Sequence, residues 1–369
     1  MIVLAYNHAA YVEQALDSAR AQQVADLELI VCDDASRDGT PEAIRSWVER
    51  TGSDATLILR EVNVGLPASV NAALARSHGE FVCMLAGDDY YDSDAVDQML
   101  TAIRAQDDDV AVVYSDARLV ARDGSTIHAA AMEVVIPGQV PPEGWVFAQI
   151  QRVCFLTPVA AMIRRSAVIE VGSFDESLDF EDWDMWLRLA DRYRFVYLPG
   201  VVASHRVLPT SLYHASFGSP RFQRGVVTMM RRWLDRDEDA RRTSAFWIRR
   251  AARAIAVEDR AEARRLLESV ESVPRRADDP VPWHVVSILL RVPGTGRLLG
   301  HRIASREPVQ GRTVAPPARP GSGRAPSHTI PTRRRGGAKR RPRRWATGCD
   351  PPGGDPQGHD RRPQSIILV

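Results

Sequence analysis

The stretch Met84-Leu85-Ala86-Gly87-Asp88-Asp89-Tyr90 sets an apolar run, residues 81–85, directly against a glycine and two adjacent acids. An apolar run bounded by turn residues reads as a strand buried on both faces of a parallel sheet, and open α/β sheets bind ligands beyond the carboxyl ends of such strands. Two neighbouring carboxylates repel each other unless a positive charge lies between or beyond them. A magnesium or manganese ion meets that need: it accepts one or two carboxylate oxygens and completes its shell with phosphate oxygens and water, so the pair could hold a metal-bound diphosphate. The same Gly-Asp-Asp also suits a plain turn that caps a helix beginning near Asp94.

Acids or amides close three more apolar runs: Asn7 after residues 2–6, Asp33 and Asp34 after residues 27–32, and Asp116 after residues 110–115. If all four runs are parallel strands, these side chains converge on one edge of the sheet. Singly, each suits a turn or a cap. Further along, Glu181 and Asp182 precede a helical face of Trp183, Trp186, Leu187 and Ala190. A helix amino end favours ionised carboxylates, and simple first-turn preference accounts for them as well as a functional role does.

The elements that must position these residues alternate. After residues 2–6 comes a helix with Tyr11, Val12, Ala15, Leu16 and Ala19 on one face; after residues 27–32, Thr40 serves as N-cap and Pro41 as first-turn proline for a helix carrying Ile44, Trp47 and Val48. A strand at 56–60, a helix at 67–77, the central strand, a helix at 94–106 and a strand at 110–115 complete the unit. Strands alternating with short helices imply right-handed crossovers and an α/β fold with a mostly parallel sheet. Residues 117–157, with Gly124, Pro137, Pro141, Pro142 and Gly144, read as irregular and exposed, and a strand returns at 159–163. From 221 to 272 the chain reads as two or three packed helices outside the sheet, solvated on their Arg-rich faces. Beyond Arg306, Pro, Gly and Arg dominate without periodicity, which predicts disorder. The expected division is 1–215, 216–305 and 306–369.

The 369 residues carry a net charge of +1, but residues 306–369 hold a net +10 and leave the body acidic. The four cysteines show no CxxC spacing, and Cys32 and Cys83 fall inside expected buried strands, so reduced thiols and a cytoplasmic location are expected. No apolar run approaches the roughly 20 residues of a membrane span. A buried strand that opens on the first residue reads as a truncated start.

Taken together, Ala5-Tyr6-Asn7, the loop from Asp33 to Thr40, Asn63-Val64-Gly65 with Asn71, Gly79-Glu80-Phe81 leading to Asp88-Asp89, Gly172-Ser173-Phe174-Asp175-Glu176, and Glu181-Asp182 before Trp186-Leu187-Arg188 resemble a family 2 glycosyltransferase of the GT-A fold over residues 1 to about 215. The resemblance implies a Rossmann-like, mostly parallel sheet and an inverting, Mn2+- or Mg2+-dependent transfer of a sugar from a nucleotide-diphosphate donor. By position, Asp34 would hold the donor base or ribose with Asp33 beside it. Ala5, Tyr6, Asn7, Asn63 and Gly65 would line the nucleotide site. Asp88 would face ribose and metal, and Asp89 would be the metal ligand. Asp182 would be the general base, supported by Glu181 and Trp183.

The implied acceptor is a glycan or a lipid-linked sugar in surface glycan synthesis, met in the cytoplasm or at the inner face of a membrane. Two departures stand out. Arg206 is followed by Val207 and Leu208 where an Arg-x-His pattern is common, although His205 is adjacent; and no Gln-x-x-Arg-Trp follows Asp182, which points to a non-processive enzyme. Two other readings are a transferase-like binding protein that has lost turnover and, with less support, a nucleic-acid binder acting through the arginines between 333 and 344, where only Trp345 offers an aromatic for stacking.

Overall fold

The structure, a computed structural model, describes residues 1–208 and 218–276. Strands β1 (Ile2–Ala5), β2 (Ile30–Asp33), β3 (Thr56–Leu59) and β4 (Phe81–Ala86) alternate with helices α1 (Val12–Arg20), α2 (Thr40–Thr51) and α3 (Leu66–Leu74). β5 (Tyr90–Tyr91), α4 (Ala95–Arg104), β6 (Val110–Val120), β7 (Thr126–His128), α5 (Ala131–Val135) and α6 (Phe147–Arg152) follow. Then come β8 (Ala161–Arg164), α7 (Arg165–Glu170), α8 (Asp182–Ala190), β9 (Arg194–Arg206), α9 (Pro220–Arg231), α10 (Glu238–Ile255) and α11 (Arg260–Ser269).

The sheet runs β3-β2-β1-β4-β8-β6-β9-β5, with β7 on β6. Pairings among β3, β2, β1 and β4, and between β6 and β9, are parallel, whereas β8 is antiparallel to both β4 and β6. Inserting one reversed strand leaves β4 and β6 pointing the same way. The carboxyl ends of β1, β2, β4, β6 and β9 therefore share one edge, as the α/β reading requires.

Successive side chains alternate between faces, so β1 sends Ile2 and Leu4 to one core and Val3 and Ala5 to the other. α1, α2 and α4 cover the Val3 face through Leu16, Trp47 and Met99. α3, α6 and α8 cover the opposite face, and Met229, Trp247 and Leu266 of α9, α10 and α11 belong to that same continuous core. The helices beyond residue 218 thus pack on the helices that cover this face, Trp247 of α10 meeting Trp183 of α8 and bonding the Gln151 carbonyl of α6.

Several expectations change. Residues 117–157 are not an exposed irregular stretch: β6 continues to Val120, and Met132, Phe147, Ile150 and Phe155 are buried. Their apolar anchors are too widely spaced to show a period. Asp116 lies inside β6, not beyond it, and its Oδ1 accepts N–H bonds from Ala117, Ala131 and Met132, which fixes the start of α5. Thr40 is the first helical residue and Gly39, at φ 89°, precedes it; the Thr40 hydroxyl serves Asp38 instead of capping. Residues 158–160 form a 3-10 turn before β8. The expectations for residues 277–369 lie outside the described residues.

Candidate functional site

The donor half of the edge is built from two laced turns. Asn7, in the left-handed region at φ 57°, donates its N–H to Ser36 Oγ at 2.8 Å and accepts Arg37 N–H at 2.9 Å. His8 N–H reaches Thr40 Oγ1 at 2.9 Å and Ala9 N–H reaches Asp38 Oδ2 at 3.0 Å. Partial burial pushes the Asp38 carboxyl up, but bonds from Thr40 and Ala9 outweigh it and hold it below its ordinary value.

Asp33 ends β2 fully buried and spends its carboxylate on the Ser36 N–H and hydroxyl. Asp34 accepts Val64 N–H at 3.0 Å and Gly65 N–H at 2.9 Å, while Asn63 Nδ2 donates to the Asp34 carbonyl at 3.1 Å. Asn7, Asp33, Asp34, Asn63 and Gly65 are therefore in one place. Ala5 is buried at the end of β1 and Tyr6 stands exposed beside them.

Next to this cradle the β4 turn presents Asp88 and Asp89, both buried. Gly87 N–H bonds the Leu4 carbonyl at 2.7 Å, docking the turn on β1. Asp89 Oδ2 lies 3.0 Å from His205 Nδ1, and Asp89 Oδ1 accepts Arg206 N–H at 2.8 Å. The Arg206 guanidinium is buried. It donates to the Asp88, Ala121 and Arg122 carbonyls and to Gln14, and lies over the Tyr11 ring. Arg206 is thus a brace for the turn, not a free cation for phosphate.

Burial, with the Asp89 charge, raises the Asp88 carboxyl. For His205 burial opposes the charge, but Asp89 first and then Asp88 and Asp182 overcome it and push the imidazole up to about 9.

The second acid pair opens α8. Trp183 donates its indole N–H to the Ile150 carbonyl at 2.8 Å and meets the Trp247 ring edge-on at 4.9 Å, which locks the helix start between α6 and α10. Asp182 Oδ1 accepts Trp183 N–H at 2.7 Å. Burial, helped by the Asp182 charge, pushes Glu181 up to about 8; burial lifts Asp182 to about 6, moderated by the Trp183 N–H and by His205. Both carboxyls are raised, Glu181 further than Asp182, so the two acids hold their protons to different degrees.

Two further contacts set α8. Asn71 on α3 accepts Phe174 N–H and donates to the Phe174 carbonyl and Glu176. Arg232 bridges Asp175 and the buried Asp184, and Arg188 holds the other Asp184 oxygen at 2.8 Å.

The sequence and the fold resemble known proteins. Residues 1–172 match the model of glycosyl transferase family 2. Residues 1–172 are a family 2 glycosyltransferase domain. Chondroitin synthase of Pasteurella multocida (strain Pm70) is 30% identical over 209 residues, 55% of this chain and 20% of that protein; hyaluronan synthase of Pasteurella multocida matches equally. An uncharacterized glycosyltransferase of Rickettsia prowazekii is 23% identical over 224 residues, 58% of this chain and 64% of the other. The chain thus spans a fifth of the length of the two synthases.

Among solved structures, S. aureus TarS 1–349 in complex with UDP-GlcNAc aligns at TM-score 0.54 and 18% identity, covering 82% of this chain and 88% of that one. Mannosyltransferase PcManGT from Pyrobaculum calidifontis in complex with GDP-Man and Mn2+ aligns at TM-score 0.51 and 20% identity, covering 82% and 83%. The fold is that of GT-A glycosyltransferases.

Within the glycosyltransferase domain and β9 the donor set suits a divalent cation. Two carboxylates and an imidazole provide hard oxygens with one borderline nitrogen, a set that accepts Mn2+ or Mg2+. Among the described residues no three His, Cys, Asp or Glu side chains already converge as a closed cage. A cation that arrives with a diphosphate needs only one or two protein ligands. His205 and His8 carried no assigned role from the sequence. His205 was visible only as the neighbour of a displaced Arg-x-His pattern, and its approach to Asp89 depends on β9 running the length of β6.

Proposed function

We propose that the chain transfers a glycosyl group from a nucleotide-diphosphate sugar to an acceptor hydroxyl with inversion at the anomeric carbon. The observation that carries this reading is the sharing of His205: it pairs with Asp89 in the metal-acid turn and its charge is felt by Asp182 at the start of α8. The His205 charge thus bears on both acids.

In this reading the laced turns around Asn7, Asp34, Asn63 and Gly65, with Tyr6 at the rim, hold the nucleoside, and Asp88 and Asp89 with His205 hold Mn2+ or Mg2+. When bound, the cation offsets the charge that grows on the departing diphosphate. Asp182 takes the proton of the acceptor hydroxyl, whose oxygen forms the new bond to the anomeric carbon as the carbon–phosphate oxygen bond breaks and the diphosphate leaves with the electron pair. With its carboxyl raised, Glu181 adds less negative charge beside the base than an ordinary glutamate would. Partial burial lifts Asp182 to about 6, closer to neutrality than an ordinary aspartate, which suits a base.

A non-processive addition to a glycan or lipid-linked acceptor, at or near a membrane surface, is the wider setting we infer. It draws support from the sequence between Asp182 and the end of the sheet, which lacks a Gln-x-x-Arg-Trp, and from the described residues, where no helix is long and apolar enough to cross a membrane.

Two variants separate the halves of the site. Asp89→Ala abolishes Mn2+-dependent nucleotide binding in calorimetry in a protein that still folds but melts lower, because His205 and the Arg206 N–H lose their acceptor. Asp182→Asn keeps that binding and lowers transfer by on the order of a hundredfold or more. Equal loss of binding in both would remove the distinction between donor acid and base.

A further inference from the structure

One polar side chain at the site has no place in the scheme above. His8 follows β1, and its backbone is clamped at three points: its N–H bonds Thr40 Oγ1 at 2.9 Å, and its carbonyl accepts the N–H groups of Tyr11 and Val12, each at 2.9 Å, at the start of α1. The ring lies over Gly87. A Cβ at position 87 would sit 2.8 Å from His8 Nδ1 and 3.3 Å from the Leu4 carbonyl oxygen, so glycine there is what lets the imidazole in. Nδ1 is buried and has no hydrogen-bond partner, while Nε2 points at Asp88 Oδ1 from 3.7 Å. An apolar side chain would fill this wall without an orphaned nitrogen. What the imidazole adds is a ring nitrogen able to donate toward Asp88, 3.7 Å away and so short of a direct hydrogen bond.

We propose that His8 is a positioning residue for Asp88, and that Gly87 is part of the same device. The two acids of the turn then each face a histidine, Asp88 that of His8 after β1 at 3.7 Å and Asp89 that of His205 in β9 at 3.0 Å. Because the His8 backbone is tied to Thr40 and its neighbour Asn7 to Ser36, the turn that carries the nucleoside contacts also aims the carboxylate that faces the cation. A bound nucleotide and a bound cation would each favour the arrangement the other uses. This rests on the reading of Asp88 and Asp89 as the cation-holding acids.

The test is binding by the full chain, with free Mn2+ followed by electron paramagnetic resonance and nucleotide followed by calorimetry. In the unaltered protein Mn2+ should bind more tightly when a nucleoside diphosphate is present; absence of that effect defeats the reading of the site itself. Given that effect, His8→Ala should weaken Mn2+ binding in the presence of nucleotide by about tenfold or more, the scale of removing a residue that orients a metal ligand, at an unchanged melting temperature. His8→Gln should recover part of the loss by restoring an N–H. Gly87→Ala, which evicts the ring, should repeat the defect if His8→Ala does not fold. Unchanged Mn2+ affinity in a folded His8→Ala or Gly87→Ala protein, or no recovery with Gln, overturns the assignment.

Discussion

The charge on His205 links two residue-level predictions. At pH 7 this imidazole, pushed up to about 9, carries a proton that a cation entering beside Asp89 has to displace. Cation binding should therefore release a proton, and Mn2+ affinity should climb as pH rises toward 9, by up to about tenfold per pH unit. Affinity independent of pH over that range, measured by calorimetry in buffers of different ionisation heat, would show that His205 is not displaced.

Asp182 gives the opposite kind of test. Its carboxyl titrates near 6 in the fold and near 4 in an unfolded chain, so between those values the folded state binds more protons and stability falls as pH rises. Above 6 the protein bears the whole cost of the ionised base. Asp182→Asn should then melt higher than the unaltered protein at pH 7 while losing transfer, and transfer by the unaltered protein should decline as pH drops through about 6. A lower melting temperature for the folded Asn variant would mean that Asp182 is a structural acid.

At the scale of elements, α8 matters because its first turn carries the base and its third residue, Asp184, is buried between Arg188 and Arg232. Replacing Arg232 with Met leaves one Asp184 oxygen without its donor. With Arg188 still in place, the expected cost is roughly 1–3 kcal/mol, seen as a lower denaturation midpoint. No change in midpoint would show that Arg188 alone suffices.

The same scale explains what the sequence could disclose. The Gly87-Asp88-Asp89 stop, the Asp33-Asp34 stop and the Glu181-Asp182 helix start were legible because each is a local change of pattern. The use made of each carboxylate was not. Asp34 turns to Val64 and Gly65, Asp116 turns to Ala131 and Met132, and His205 turns to Asp89, all pairings between segments that only the folded chain brings together. The core role of residues 117–157 was hidden for a related reason: single anchors such as Phe147 and Phe155 show no period.

For the molecule as a whole, the charge division is the least explained feature, with a net +10 in residues 306–369 against an acidic body. Since that segment has no apolar periodicity to pack, a chain ending at Ser305 should keep the melting temperature and nucleotide binding of the full protein. A drop in either would assign the segment a structural part.

The most direct measurement of the central claim is release of nucleoside diphosphate by the full chain from a panel of uridine- and guanosine-diphosphate sugars, with Mn2+ or with a chelator. At least one sugar should be consumed with Mn2+ present, with little release under chelator and little from Asp89→Ala or Asp182→Asn. Release that persists under chelator, or that proceeds at the unaltered rate in both variants, would contradict a cation-dependent transferase built on these two acid pairs.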